Sequence, residues 1–338
     1  MTTRTASAIR GLFFVPVLLA GCAGSNQNPA LAPAAHPMGS APQRSWMSPS
    51  ASKKSKLLYV SVLNGTSVNV YDYPSGSQVG MLTGLASPAG QCVDAQGDVY
   101  VTNGDGSVDE YAHGGTNTIN TYSTSGGAFG CSVDKKGDLA VTDFVGPSYS
   151  AGSITVFPKG STKGTVYSDP ADCYFIWPAG YDDRGNLIAS AENEASEAVT
   201  YCGVLKGSNS LTTLTAKGFA IYSPASTMWD GKYIALGDQQ IGGGLQSGVI
   251  DVTLSGSTLT YHSQSTLDDT CDGGSTHVVS PFIVGRKNTP VNDKQGNVIA
   301  GANEFCSADL RLWRYPKSED PFKTIASQAG GISVSIIR

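Results

Sequence analysis

Several common chemistries are absent from this sequence from the outset. It has four histidines, His36, His113, His262 and His277, with no His-x-x-x-His and no Cys-x-x-Cys, so a zinc site of ordinary ligand spacing is excluded. Gly-x-Ser-x-Gly, His-Glu-x-x-His, a P-loop and Gly-x-Gly-x-x-Gly are all missing, which removes the usual sequence marks of α/β-hydrolases, zincins and nucleotide-binding enzymes. Charge is sparse: 14% of the 338 residues are charged, for a net charge of −5. The only basic cluster, Lys53-Lys54-Ser55-Lys56, reads as a solvated linker, so no nucleic-acid partner is expected. No window of 12 or more residues after Lys56 carries helical periodicity with caps, so the folded part is expected to be all-β.

What is present is glycine, 41 residues of it, and a recurring phrase. Val93 to Val101 reads Val-Asp-Ala-Gln-Gly-Asp-Val-Tyr-Val, and near copies begin at Val133, Tyr181 and Asn292, with a shortened form at Trp229. Each places an apolar run, an Asp-x-x-Gly turn and a second alternating run in succession. That is a β-hairpin: the glycine supplies positive φ, and the aspartate hydrogen-bonds its own turn. The motif aspartates Asp94, Asp134, Asp182, Asp230 and Asp293 are separated by 40, 48, 48 and 63 positions. Four antiparallel strands per unit of this length match the blade of a β-propeller.

The ends of the chain complement each other. Lys56 to Val62 and Ser67 to Tyr73 match the second and third strands of a unit, joined by an Asn64-Gly65 turn, but no first strand precedes them. Gly331 to Ile337 has the form of a first strand with nothing after it. The expectation is a six-bladed β-propeller of four-stranded antiparallel blades over residues 56–338, closed by the C-terminal strand joining the N-terminal blade.

Residues 1–22 read as a targeting segment, with Arg4 and Arg10 ahead of an apolar core from Gly11 to Ala20, too short to span a bilayer permanently. Its end, Leu19-Ala20-Gly21-Cys22, resembles a bacterial lipobox, which implies cleavage before Cys22 and lipidation of its thiol. Acyl chains contribute about 0.8 kcal/mol per buried CH₂, so several hold a protein stably at a membrane. With Ala23 next, the resemblance favours the outer membrane of a diderm envelope. Residues 23–55, rich in Ala, Pro and Ser, are expected to form a flexible tether.

The units resemble the six-bladed propellers of the NHL-repeat and regucalcin/gluconolactonase superfamily, on the pattern Pro-x-Gly-x-x-Val-Asp-x-x-Gly-(Asp/Asn)-(Val/Leu)-x-Val, kept best at Pro88 to Val101. In such a frame the loops between second and third strands share one face. They hold Asn103, Asp143, Glu192, Asn193, Glu194, Asp238, Asn303 and Glu304, the candidate ligand-binding residues, with His277 near the start of the last unit. The frame also pairs the six remaining cysteines: Cys173 with Cys202 and Cys271 with Cys306 as two copies of one staple, and Cys92 with Cys131 between neighbouring first strands.

Three functions compete. A lipoprotein that binds or scaffolds a protein or small ligand, as a monomer, is the leading expectation. A regucalcin-type hydrolase or lactonase is the second, and that resemblance implies a divalent ion held by a first-blade Glu with later Asn and Asp. No Glu occurs before Glu110 and Tyr59 to Asn64 holds no carboxylate, so no catalytic residue is assigned. Asp268 to Gly273 resembles the start of a calcium loop but has Val279 in place of the closing Glu, leaving Ca²⁺ or another divalent ion as the only cofactor to consider. A propeller lyase, which needs a base such as His277, is the third.

Overall fold

Asp-x-x-Gly turns and period-two strands set the local structure. The computed structural model describes residues 44–338 except 63, 74, 245, 268–281, 285–296, 303–309, 318–319, 326–328 and 337–338. Cys22, Cys271, His277, Asn303, Glu304, Cys306 and the motif at Asp293 therefore lie outside the described residues, as do the targeting segment and most of the tether.

Among the described residues the strands form six sheets. Sheet 1 runs Trp46–Met47, Ser77–Thr83, Ser67–Asp72, Lys56–Val62 and Ala329–Ile336 from edge to edge. Sheet 2 is Pro88–Val93, Val99–Asn103, Ser107–Tyr111 and Thr118–Ser123. Sheet 3 is Ala128–Val133, Leu139–Val145, Ala151–Phe157 and Thr165–Tyr167. In sheet 4, Phe175–Ile176 and Gly180–Tyr181 both pair with Leu187–Glu192, followed by Val199–Val204 and Thr212–Thr213. Sheet 5 is Pro224–Trp229, Ile234–Asp238, Gly248–Ser255 and Thr258–Thr266, with Thr215–Lys217 added in parallel. Sheet 6 is Phe282–Val284, Asn297–Ala302, Leu310–Tyr315 and Lys323–Ile325.

The Asp-x-x-Gly turns form as their chemistry requires. Asp94 Oδ1 accepts the backbone N–H of Gln96 and Asp98, Asp134 those of Lys136 and Asp138, and Asp182 those of Arg184 and Asn186. Gly97, Gly137 and Gly185 take φ values of 91°, 93° and 85°, open to glycine at little cost.

The second strands of sheets 1 to 5 are covered on both faces, so alternate residues serve two different cores. In sheet 1, Leu57 and Tyr59 pack with Val99 and Val101 of sheet 2, whereas Leu58 and Val60 pack with Leu310 and Leu312 of sheet 6. The same exchange continues along the chain: Tyr100 and Val108 meet Leu139 and Val141, Ala140 meets Leu187, Ile188 meets Leu236, and Ala235 meets Trp313. Six apolar clusters thus lie between successive sheets.

The first strands are pressed together by small residues. Ala329–Ile336 touches Pro88–Val93, which touches Ala128–Val133, then Gly180–Tyr181, Pro224–Trp229 and Phe282–Val284, which touches Ala329–Ile336 again. A Cβ at Gly90 would stand 2.6 Å from the Phe129 carbonyl oxygen, and one at Gly331 would overlap Ala89. The glycine in the Pro-x-Gly part of the repeat is a spacing requirement between neighbouring sheets.

The expected tether boundary is corrected. Folded structure begins before Lys56: Trp46 and Met47 pair with Met81 and Gly80, and Ala51 is fully buried in the core between sheets 1 and 2. Short strands without alternation gave no periodic signal, and only the exposed edge of Ser77–Thr83 made this segment a strand. Among the described residues no helix is long and apolar enough to cross a membrane.

Candidate functional site

Because the four main strands of each sheet form an antiparallel meander, their connections alternate between two ends. The Asp-x-x-Gly turns gather at one end with the loops between third and fourth strands. A cleft of about 390 Å³ lies there between sheets 3 and 4, lined by Lys135, Lys136, Tyr167, Tyr181, Arg184 and Lys206 among others. The loops between second and third strands, and those leading into the next sheet, gather at the other end, where the candidate residues belong.

Asn103, Asp143 and Asp238 occupy matching stations at the ends of second strands and are buried. Asp143 accepts hydrogen bonds from Thr124 Oγ1 (2.7 Å), Gly126 N (3.1 Å) and Ser153 Oγ (3.1 Å). Asp238 accepts from the backbone N–H of Tyr222, Ser223 and Gln240. Burial raises both carboxyls above their usual range, opposed by these donors. Asn103 Nδ2 donates to Ser107 Oγ and Asp109 Oδ2, while its Oδ1 is buried without a protein donor. The two aspartates tie one sheet's loop to the preceding connection, so their oxygens are already used. With no first-sheet carboxylate beside them, these residues do not fit the regucalcin-type ion. Among the described residues no three His, Cys, Asp or Glu side chains group as metal ligands.

Glu192, Asn193 and Glu194 stand together at the end of sheet 4. Asn193 Oδ1 accepts the backbone N–H of Ala195 and Ser196, and its Nδ2 donates to Ala171 O at 2.6 Å. Glu194 is exposed beside the Tyr174 hydroxyl. The Glu192 carboxylate is half-buried and faces the buried Trp177 indole nitrogen.

Beside these acids lies an aromatic patch not foreseen from the sequence. Phe144 stacks on Phe175 at 5.4 Å and meets Trp177 edge-on at 5.3 Å. Phe129 contacts both Phe144 and Trp177, and Tyr174 meets Phe175 edge-on at 4.9 Å. These five rings are half-buried, and Tyr149 beyond them is 82% exposed. Tyr174 donates its hydroxyl to the Tyr149 carbonyl, in a loop where Ser148 and Tyr149 both hold positive φ (56° and 60°). Such conformations cost non-glycine residues on the order of 1 kcal/mol each. The signal was visible in retrospect: Tyr174-Phe-Ile-Trp177 precedes a first strand where the corresponding stretch before Pro88 reads Gly-Leu-Ala-Ser.

Cys173 and Cys202 are joined directly beneath this patch, and Cys92 with Cys131 between the first strands of sheets 2 and 3. Both bridges match the pairs expected from the repeat frame.

Burial holds the Glu192 carboxyl above the usual range, with Trp177 opposing and the Glu197 charge reinforcing. The folded protein then keeps a proton that the unfolded chain releases, so stability falls as pH rises through this window. Glu192→Gln is therefore expected to melt higher than wild type at neutral pH. The gap should close as pH falls through the raised value toward the ordinary glutamate range; a pH-independent gap in thermal melts would refute this.

No protein-family model and no curated protein matches the chain. Solved structures do. It is similar to a functionally unknown protein from Desulfotomaculum acetoxidans (TM-score 0.56, 9% identity, covering 83% of this chain and 99% of that one). It is similar also to Kuenenia stuttgartiensis hydrazine synthase (0.53, 16%, 80% and 76%). A third is the Cps50 (Swd1) β-propeller domain of Myceliophteria thermophila (0.52, 9%, 86% and 89%). At these identities the likeness speaks for fold alone: the chain is an all-β protein of the β-propeller type.

Proposed function

We propose that this protein is an exported binding module: a six-bladed propeller, tethered through a lipidated Cys22 to the cell envelope, that presents one face to a partner. The cyclic contact of first strands and the pairing of Ala329–Ile336 with Lys56–Val62 support a ring of six blades closed by the C-terminal strand. The two disulfides support an oxidising compartment. The NHL-type resemblance remains an expectation about architecture.

The observation that carries the binding reading is the aromatic patch of sheets 3 and 4. Five partly exposed rings in mutual contact, with the largely exposed Tyr149 held beside them by the Tyr174 hydroxyl, form an apolar surface at the end of the sheets, which a soluble domain exposes mainly where something docks. The test is photo-crosslinking in the native host, with a photoreactive phenylalanine at Tyr149 or, as control, at Lys136 on the opposite end. One discrete adduct from position 149 and none from 136 is expected. Equal or no adducts from the two positions would overturn the binding reading.

A further inference from the structure

We infer that the aromatic face docks a basic peptide segment of a protein partner, seating an Arg or Lys side chain against Trp177 and Phe144 beside Glu192 and Glu194. The inference rests on the binding reading above and adds the chemistry of the occupant.

The described connections at the two ends of the sheets differ in charge. At the end carrying the patch, the connections 63–66, 84–87, 104–106, 124–127, 146–150, 168–174, 193–198, 218–223 and 239–247 contain no Lys, Arg or His. They contain Asp105, Asp169, Asp172, Glu194 and Glu197, and Glu192 adjoins them. The opposite end mixes both signs: Lys135, Lys136, Lys159, Arg184, Lys206 and Lys232 stand there with Asp94, Asp98, Asp134, Asp138, Asp182, Asp183 and Asp230.

Each class of occupant can be weighed against this surface. An acidic peptide or a nucleic acid meets like charge and, in these connections, no cation. A purely apolar segment would cover the rings but strip water from Glu192 and Glu194 without replacing it, and unpaired buried charge is costly. A guanidinium or ammonium satisfies both features at once. It stacks on an aromatic face, worth about 0.5–2 kcal/mol, and pairs with the adjacent carboxylates. Glu192 is the most exacting acceptor: already half-buried and held above its usual range by that burial, it gains most from an incoming cation. The acids of these connections would also steer a basic partner during encounter.

The test is calorimetric titration of the folded chain with four synthetic peptides of equal length, bearing Arg, Lys, citrulline or Glu at the same positions, and with free arginine. The Arg and Lys peptides should bind, more weakly as salt rises, and the citrulline and Glu peptides should not. Glu192→Gln combined with Glu194→Gln should weaken the Arg peptide by about tenfold, consistent with loss of a partly desolvated charge pair. Lys135→Ala with Lys136→Ala should leave it unchanged. Both variants remove charge from the surface, and their folding is checked by melting. Citrulline binding as tight as Arg would overturn the cationic occupant while leaving the binding face intact. Free arginine matching the peptide would overturn peptide docking in favour of a small-molecule site. No binding of the Arg peptide, or binding insensitive to the double glutamate variant, would overturn the inference outright. A failed crosslink at position 149 would instead remove the binding reading beneath it.

Discussion

Deleting residues 329–338 is expected to leave a chain that does not fold. Ala329–Ile336 pairs antiparallel with Lys56–Val62 from Lys56↔Ile336 to Val62↔Ala329. Ile332 is 3% exposed in the core shared by sheets 1 and 6, with Leu58, Val60, Leu310 and Leu312. Buried Ser333 donates to Gln91 Oε1, and Gln91 Nε2 donates to the Gly331 carbonyl at 3.3 Å and to Ser61 Oγ, so one side chain of sheet 2 ties the strand from its other flank. Removal loses about 1.5–3 kcal/mol for Ile332 alone and about 1 kcal/mol for each net backbone hydrogen bond. It also bares the full edge of Lys56–Val62, which invites aggregation. Against a usual domain stability of about 5–15 kcal/mol, the loss is disabling. Circular dichroism and thermal melting of the purified deletion decide it; an unfolding midpoint equal to wild type would overturn the closed-ring reading.

Replacing Cys173 and Cys202 together by serine is the second large effect. The bridge spans 29 residues of sequence, and loop-closure entropy assigns such a link about 3.6 kcal/mol. Both sulfurs lie in the core shared by sheets 3 and 4, where neither residue is exposed, so two hydroxyls there add a desolvation cost. At roughly 2–4 °C per kcal/mol, the melting midpoint should fall by about 7–14 °C or more. Cys173 adjoins Tyr174 and Phe175, so hydrogen exchange should rise first across 168–177, beneath the patch. A double variant melting within a degree or so of wild type would show that the bridge contributes nothing. Serine at Cys92 and Cys131, closing a separation of 39 residues, serves as comparison: a similar loss is expected, without loosening 168–177.

The parts of the fold legible in the sequence are those governed by local chemistry. Asp-x-x-Gly announces a hairpin because its hydrogen bonds stay within five residues, as Asp94, Asp134 and Asp182 show. Two cysteine pairs followed once the repeat placed them in register. Trp46–Met47 was missed because two residues have no period, and their pairing depends on an edge supplied by Ser77–Thr83. Among the candidate residues, burial and saturation of Asp143 and Asp238 depend on loops from the preceding connection, which a lone Asp in a sequence cannot reveal.

The sequence by itself determined the all-β class, the repeat, the turn chemistry and the pairing of its ends, since each is written in residues close together or in a period. Only the tertiary structure decided which residues meet. Phe129, Phe144, Tyr149 and the run Tyr174 to Trp177 come from four segments of two sheets, and become one surface only when those sheets pack side by side. The absence of cations from the described connections at the patch end has the same origin. Alternating connections send successive loops to opposite ends, so Lys135, Lys136, Lys159 and Lys206, interleaved along the chain with Glu194 and Glu197, fall at the end away from them.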